Sequence, residues 1–220
     1  MTTLPVDGGS FGAGGAEPWA RVLRRGHGDL QLVPEGAEPA QSLDVARWHA
    51  GADDTDLEAL EGLRGPVLDV GCGPGRMVRA ALDAGLAASG IDVSRAAVRH
   101  CRRRGLPVLE RSVFDPLPRE GAWGAVLLLD GNIGIGGDSA VLLARCRELL
   151  RPGGAMVVEV HADPERDVAF TGRVVGAGAS SAPFRWSQTG ERALLRAAAG
   201  FEVERAWTTG ERRFVRLLAV

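Results

Sequence analysis

A glycine-rich segment and a later carboxylate have the residue types and the spacing of a nucleotide-type binding site. The segment VLDVGCGPGR, residues 67–76, places Gly71, Gly73 and Gly75 at alternate positions. Because glycine has no Cβ, these positions can adopt positive φ and let the backbone approach a ligand closely. Asp92 follows about 20 residues after the loop, where a carboxylate can bind the hydroxyls of a ribose. These residues predict a site for a cofactor that contains a nucleoside.

Two strands and a helix must position these groups. The apolar run at residues 67–70 is too short for a helix, so it predicts a buried parallel strand. Residues 76–84 have apolar side chains on one face, which predicts an amphipathic helix that Gly85 ends. A second strand over residues 87–91 then delivers Asp92 to the carboxyl edge of the sheet, where open α/β sheets bind ligands.

Other glycine-loop sites fit the sequence less well. A dinucleotide-binding loop needs a small third residue where this chain has Arg76, and the phosphate-binding pattern GxxxxGK is absent. A glycine turn without a ligand is the simplest alternative. It does not account for the strand, the helix and the acidic residue that accompany the loop.

The loop resembles motif I of the class I S-adenosylmethionine-dependent methyltransferases, in which an acidic residue stands two places before GxGxG. Asp69, Gly71, Gly73 and Gly75 match this motif. The resemblance implies S-adenosylmethionine as the cofactor, bound by these four residues and Asp92. It also implies that two neighbours contact the cofactor, namely Cys72 and Val93.

Two later segments resemble further parts of the same family. Residues 111–118 are similar to the motif that flanks the adenine ring, although its usual acidic residue is not obvious here. The resemblance implies that the Val113 region contacts the ring edge and that Phe114 packs on the ring; packing of Phe114 in the core is the alternative. A glycine-rich turn follows a fourth strand, and the family's arrangement implies that Asp130 lies near the amino group of the cofactor.

The resemblance implies a Rossmann-like α/β fold with a seven-stranded, mostly parallel sheet of order 3-2-1-4-5-7-6, its last strand antiparallel and helices on both faces. The sequence LRPGG at residues 150–154 matches the turn before strand five in many of these enzymes. We predict a disordered tail over residues 1–16, an N-terminal helical cap over 17–63 and a cofactor-binding domain over 64–220. Residues 161–186 show no strong periodicity and predict a long connection that is functional or mobile.

Methyl transfer from a sulfonium mainly requires that acceptor and methyl group be held in line. His161, at the end of the fifth strand, is the candidate general base if the acceptor must lose a proton; a hydrogen bond to a loop is the alternative. The predicted acceptor pocket also includes Asn132, Ile133, Phe184, Arg185 and Trp186, with Trp48 and His49 from the N-terminal helices. We expect a small-molecule acceptor, with a protein or RNA methyltransferase, or a non-catalytic binding module, as alternatives.

Composition excludes several other classes of function. The net charge of −2 provides no basic field for nucleic acid, and the dense cluster Arg102–Arg104 is expected to be a solvated helix end. The three cysteines lack C-x-x-C spacing, so neither a metal site nor a disulfide framework is expected. No apolar run reaches the roughly 20 residues of a membrane span. We therefore expect a cytoplasmic protein without membrane or nucleic-acid partners.

Overall fold

The protein folds into two β-sheets with helices packed against them, as described by a computed structural model. The structure describes Phe11 and residues 18–220, so the predicted disordered tail lies outside the described residues apart from Phe11. The helices are α1 (Pro18–Arg25), α2 (Val45–His49), α3 (Asp54–Leu60), α4 (Arg76–Asp83), α5 (Arg95–Arg103), α6 (Ser139–Leu149) and α7 (Glu191–Ala197), with a 3₁₀ segment at Asn132–Gly137.

Seven strands form the larger sheet. They are β3 (Val67–Val70), β4 (Ala88–Asp92), β5 (Val108–Glu110), β6 (Trp123–Leu128), β7 (Leu150–Val160), β11 (Phe201–Thr209) and β12 (Arg212–Ala219). Their spatial order is β5-β4-β3-β6-β7-β12-β11, and β12 is antiparallel to both of its neighbours. Numbered along the chain, this order is 3-2-1-4-5-7-6, so the predicted fold class is confirmed.

The central strands are apolar because helices cover both faces of the sheet. Every residue of β3 and β6 is buried. Adjacent side chains of a strand point to opposite faces. Val67 accordingly packs in a cluster that includes Met77 of α4, whereas Leu68 packs in a cluster that includes Leu142 of α6. This two-sided burial explains why the strands appear in the sequence as continuous apolar runs.

The LRPGG segment is part of an irregular strand rather than a separate turn. Strand β7 already begins at Leu150, where it pairs with Trp123. The next paired residues are Ala125 and Ala155, so the register shifts and the strand accommodates the extra residues as a bulge.

A second sheet corrects two predictions, namely the helical cap over residues 17–63 and the long connection over residues 161–186. It contains β1 (Leu30–Pro34), β2 (Gln41–Leu43), β8 (Asp167–Gly176), β9 (Ala179–Ser180) and β10 (Phe184–Thr189). The order is β10-β8-β1-β2, with β9 paired to β8. These strands are mixed in polarity, and β1 pairs with β8 across more than a hundred residues of chain. Local periodicity therefore gave a weak signal, and tertiary pairing decided the structure.

Aspartates begin two helices of the N-terminal segment. The carboxylate of Asp44 caps α2 by accepting a hydrogen bond from the backbone N–H of Arg47. Asp53 and Asp56 form a capping box at the start of α3, in which each side chain accepts from the other's backbone N–H group. Aspartate is among the preferred N-cap residues. No helix among the described residues has the length and apolarity needed to span a bilayer.

Candidate active site

A cavity of about 860 Å³ lies between the carboxyl edge of the larger sheet and the smaller sheet. Its volume is toward the upper end of the roughly 300–1,000 Å³ typical of small-molecule and cofactor sites. All but one of the site residues predicted from the sequence line this cavity. The residues that do so are Asp69, Gly71, Cys72, Gly73, Asp92, Val93, Val113, Phe114, Asp130 and His161.

Gly75 is the exception, and its role is packing. It precedes α4 with a φ of 86°, and a Cβ there would lie 2.5 Å from Leu106 Cδ1 and 2.9 Å from Cys101 Sγ. The glycine therefore lets the loop pack closely against α5 and the segment before β5. It shapes the cofactor loop from behind and does not face the cavity.

Asp92 joins the glycine loop to the second strand. Its carboxylate accepts hydrogen bonds from the backbone N–H of Gly73, at 2.8 Å, and of Ser94, at 2.7 Å. Burial raises the pKa of Asp92 to about 6, while these two N–H bonds act to lower it. Each carboxylate oxygen has a further lone pair, so Asp92 keeps acceptor capacity for a ligand hydroxyl.

Asp69 is a buried carboxylate with an incomplete set of partners. Its Oδ2 atom has no hydrogen-bond partner among the residues that the structure describes. Burial raises the pKa of Asp69 to about 7; the nearby charge of Asp130 also raises it, and Arg76 lowers it. A buried carboxylate without a cationic partner is unfavourable in its charged form. The site thus fits a ligand that brings positive charge, as S-adenosylmethionine does.

Phe114 lies at the rim of the cavity, 42% exposed, so it is not the core residue of the alternative interpretation. Its ring edge is close enough to Gly136 that a Cβ there would lie 3.0 Å away. Val113 is buried beside it, and its carbonyl accepts a hydrogen bond of 2.9 Å from Arg145 Nε. Val113 and Phe114 thus form an apolar part of the cavity wall that is about as large as an aromatic ring.

The carboxylate of Asp130 is occupied by arginines. Its two oxygens lie 2.5 Å from Arg47 of α2 and 2.5 Å from Arg76 of α4. Its backbone N–H donates to Glu159, and its φ is 56°, an uncommon value for a residue with a side chain. In this arrangement Asp130 contributes to a buried ion network. Binding of the cofactor's amino group by Asp130 stays a prediction.

The network around Asp130 contains residues that sequence reasoning missed. Arg212 binds Glu159 through two nitrogens, at 2.9 and 2.8 Å, and Asp56 at 2.7 Å. Arg76 also binds Asp56. Arg212 follows the cofactor loop by more than 130 residues, and no local pattern in the sequence indicated that the two would meet. Arg76 was noted only as a departure from the dinucleotide pattern.

His161 lines the cavity with a defined hydrogen-bond pattern. Its Nδ1 atom accepts a hydrogen bond of 3.1 Å from the backbone N–H of Asp163. Because an N–H group can only donate, the neutral ring carries its proton on Nε2. In this tautomer Nε2 can donate a hydrogen bond, and proton uptake at Nδ1 would require loss of the Asp163 bond. The observed geometry is that of the alternative interpretation, in which His161 is hydrogen-bonded to a loop. Its role as a general base stays a prediction.

Aromatic residues form the wall on the side of the smaller sheet. Phe11, Trp19, Trp48 and Trp186 line the cavity. Phe184, predicted to line it as well, is buried in the cluster behind them. The other predicted pocket residues that reach the cavity are Asn132, Ile133 and Arg185, whereas His49 instead bonds the Val45 carbonyl within α2.

Comparison with known proteins agrees with this geometry. Residues 67–154 match a family model described as "Methyltransferase domain". A search of curated proteins found no match. Among solved structures, an S-adenosylmethionine-dependent methyltransferase from Bacteroides fragilis, in complex with S-adenosylhomocysteine, has a TM-score of 0.76 at 21% identity, over 92% of this chain and 93% of that one.

Two further solved structures have the same fold at lower similarity. The CcbJ methyltransferase from Streptomyces caelestis has a TM-score of 0.60 at 17% identity, over 79% of this chain and 92% of its own. The 1,6-didemethyltoxoflavin-N1-methyltransferase from Burkholderia thailandensis has a TM-score of 0.54 at 20% identity, over 76% of each chain. Residues 67–154 of this chain thus match a methyltransferase domain model, and the chain as a whole has the fold of S-adenosylmethionine-dependent methyltransferases.

Proposed function

We propose that the protein transfers a methyl group from S-adenosylmethionine to a small-molecule acceptor by in-line displacement. The bound cofactor supplies an already activated methyl group. The remaining task of the protein is to hold the acceptor in line with that group in a site that excludes water.

The observation that carries this proposal is the cavity itself. The cofactor loop and Asp92 form one side, and the aromatic residues contributed by the smaller sheet and its flanking segments form the other. A concave, largely apolar site with a few polar groups is typical of small-molecule binding.

Each part of the cofactor is proposed to contact residues that were predicted from the sequence. Asp92 binds the ribose hydroxyls, Phe114 packs on the adenine ring and the Val113 region contacts its edge. Asp69 faces the positively charged end of the cofactor, which would relieve the unfavourable burial of its charge. The glycine loop, including Cys72, and Val93 complete the wall. These roles remain proposals.

Other observations also support a small-molecule acceptor. None of Arg102–Arg104 is among the residues lining the cavity, so the basic surface that would favour RNA or protein substrates does not adjoin it. The B. thailandensis structure contains bound 1,6-didemethyltoxoflavin and S-adenosylhomocysteine, and its fold is similar to this one. We further propose a cytoplasmic location, and a division in which residues 64–220 bind the cofactor while residues 17–63 and β8–β10 cover it.

The test is calorimetric titration of the full chain with S-adenosylhomocysteine, followed by a screen of small molecules with methyl-labelled S-adenosylmethionine. We expect saturable binding at one site and transfer of label to at least one low-molecular-weight compound. Label transfer only to protein or RNA would contradict the small-molecule assignment. Binding without any transfer would favour the non-catalytic alternative.

A further inference from the structure

Gln188, on the cavity side of β10, is held in one orientation by a neighbouring ion pair. Its side-chain oxygen accepts a hydrogen bond of 2.8 Å from Arg166 Nε, and Arg166 also binds Glu38 in the loop between β1 and β2. A guanidinium can only donate hydrogen bonds, so the amide end that faces Arg166 must be the oxygen. The other end of the amide is therefore the NH₂ group.

This NH₂ group is a donor on the wall of the cavity. Gln188 lines the cavity and is 8% exposed. Among the residues that the structure describes, none accepts a hydrogen bond from its Nε2 atom, and this atom is not one of their fully buried unpaired polar atoms. The donor therefore faces the open space of the cavity, where a ligand atom can accept its hydrogen bond.

His161 adds a second donor to the same wall. Its backbone N–H donates to the Thr189 carbonyl at 2.9 Å, which places it beside the end of β10. Because its Nδ1 atom accepts from the Asp163 N–H, its neutral ring carries the proton on Nε2.

An aromatic surface adjoins the two donors. Trp186 lies two residues before Gln188 in β10, so the two side chains point to the same face of the strand. Gly134 lets the 3₁₀ segment after β6 approach β10 closely, because a Cβ there would lie 2.3 Å from the Ser187 carbonyl oxygen and 2.5 Å from Trp186 Nε1. Strand β10 is thereby packed directly against the loop that follows the fourth strand of the larger sheet.

We propose that Gln188 and His161 form a paired-donor subsite that selects a planar acceptor molecule bearing a hydrogen-bond-accepting group, such as a carbonyl or a ring nitrogen, with Gln188 as the specificity-determining residue. This inference rests on the proposed function, since it concerns the acceptor side of the same cavity. The aromatic wall holds the planar body, and the donors fix its orientation before the methyl group.

The test compares two probes of nearly equal shape. Acetophenone has a carbonyl oxygen where α-methylstyrene has a CH₂ group. Binding of each to the full chain, saturated with S-adenosylhomocysteine, is measured by ligand-observed NMR titration. We expect acetophenone to bind about fivefold more tightly or better, because only its oxygen can accept hydrogen bonds from these donors.

Substitutions of Gln188 provide the decisive comparison. Gln188→Met removes the donor at similar side-chain volume, and Gln188→Glu replaces the donor with an acceptor while keeping a partner for Arg166. Both should reduce the preference for acetophenone to about twofold or less. The matched control Gln31→Met, at an exposed position of β1 in the same sheet, should retain the full preference.

Equal binding of the two probes by the parent protein, including no measurable binding of either, overturns the proposal. Retention of the full preference for acetophenone in both Gln188 variants also overturns the proposal. Calorimetry with S-adenosylhomocysteine on the same samples distinguishes failure of this inference from failure of the proposed function. Cofactor binding without probe discrimination defeats only this inference, whereas probe discrimination without cofactor binding defeats the proposed function and leaves the donor subsite intact.

Discussion

Asp92 acts on the cofactor loop as well as facing the cavity. Its two oxygens hold the N–H groups of Gly73 and Ser94, so the same carboxylate that is proposed to bind a ribose also sets the loop's position. Asp92→Asn would keep the shape of the side chain but place an NH₂ group against one of these donors. We expect at least about a tenfold loss of S-adenosylhomocysteine affinity by calorimetry.

The control for this change is Asp83→Asn. Asp83 is exposed on α4 and forms an i,i+4 ion pair with Arg79 at 3.5 Å. An exposed pair of this kind contributes little, so affinity should be unchanged. Equal affinity of the Asp92→Asn variant and the parent would remove Asp92 from the cofactor site.

We expect Asp69 to make cofactor binding depend on pH. Its folded pKa of about 7 lies above the ordinary value of 3.8, so without a ligand the folded protein retains a proton there up to near neutrality. A positively charged ligand favours the ionised form and should expel that proton. S-adenosylmethionine affinity should therefore rise with pH through the window from about 6 to 7, by at most about tenfold per unit for one linked proton.

Calorimetry at pH 6.5 in buffers of different ionisation enthalpy measures the predicted proton release. The heat of cofactor binding should vary with the buffer, because the buffer takes up the protons that the protein releases. Asp69→Asn removes the titrating group and should remove the part of the release centred near pH 7. A smaller component remains from Asp92, whose pKa is about 6. Proton release that is the same in parent and variant would contradict the role given to Asp69.

His161 can serve as a base or as a donor, and turnover distinguishes the two. His161→Asn retains an amide donor but cannot act as a general base. Given the Asp163 bond at Nδ1, we expect turnover to fall by less than about tenfold. A loss in the range of about a hundred- to ten-thousandfold, the usual contribution of a general base, would establish catalysis by His161. His161→Phe, which removes both functions, gives the reference value.

At the scale of elements, the contact between β10 and the 3₁₀ segment joins the two sheets at the site. Gly134, in the glycine-rich turn predicted after the fourth strand, admits the backbone of β10. The smaller sheet is therefore positioned by packing on a loop of the larger one.

Gly134→Ala tests this packing. The added methyl group would overlap the Ser187 carbonyl oxygen, and overpacking of this kind costs about 1–3 kcal/mol in the free energy of unfolding. Urea denaturation measures the change. Gly51→Ala is the control, because nothing lies within 4 Å of a Cβ at that position. Equal stability of the two variants would mean that β10 is free to shift away from the 3₁₀ segment.

At the scale of the whole molecule, the buried ion network connects distant parts of the chain. Arg212 of the C-terminal hairpin binds Asp56 of α3 and Glu159 of β7. Arg47 of α2 binds Asp130 after β6. Removing one member of a buried network leaves uncompensated charges, which is strongly destabilising.

Arg212→Met should therefore lower the free energy of unfolding by about 3–5 kcal/mol, as measured by urea denaturation. Arg196→Met is the control at an exposed ion pair with Asp167, where a change of at most about 1 kcal/mol is expected. Similar losses in the two variants would show that the network contributes no more than a surface pair.

The sequence by itself determined the larger sheet and the cofactor side of the site. Continuous apolar runs identified strands such as β3 and β6, and Asp69, the glycine loop and Asp92 carried their signal within a short stretch of chain. These features depend on local backbone preferences and on neighbouring elements, so residue type and spacing were sufficient to predict them.

Only the tertiary structure decided the acceptor side. Strands β1 and β8 pair although more than a hundred residues of chain separate them, and the donor orientation of Gln188 depends on Arg166 and Glu38 from different segments. The same holds for Arg212 and its carboxylates. Pairing between residues far apart in sequence is governed by packing and hydrogen bonding in the folded chain, so these contacts have no local pattern from which they could be predicted.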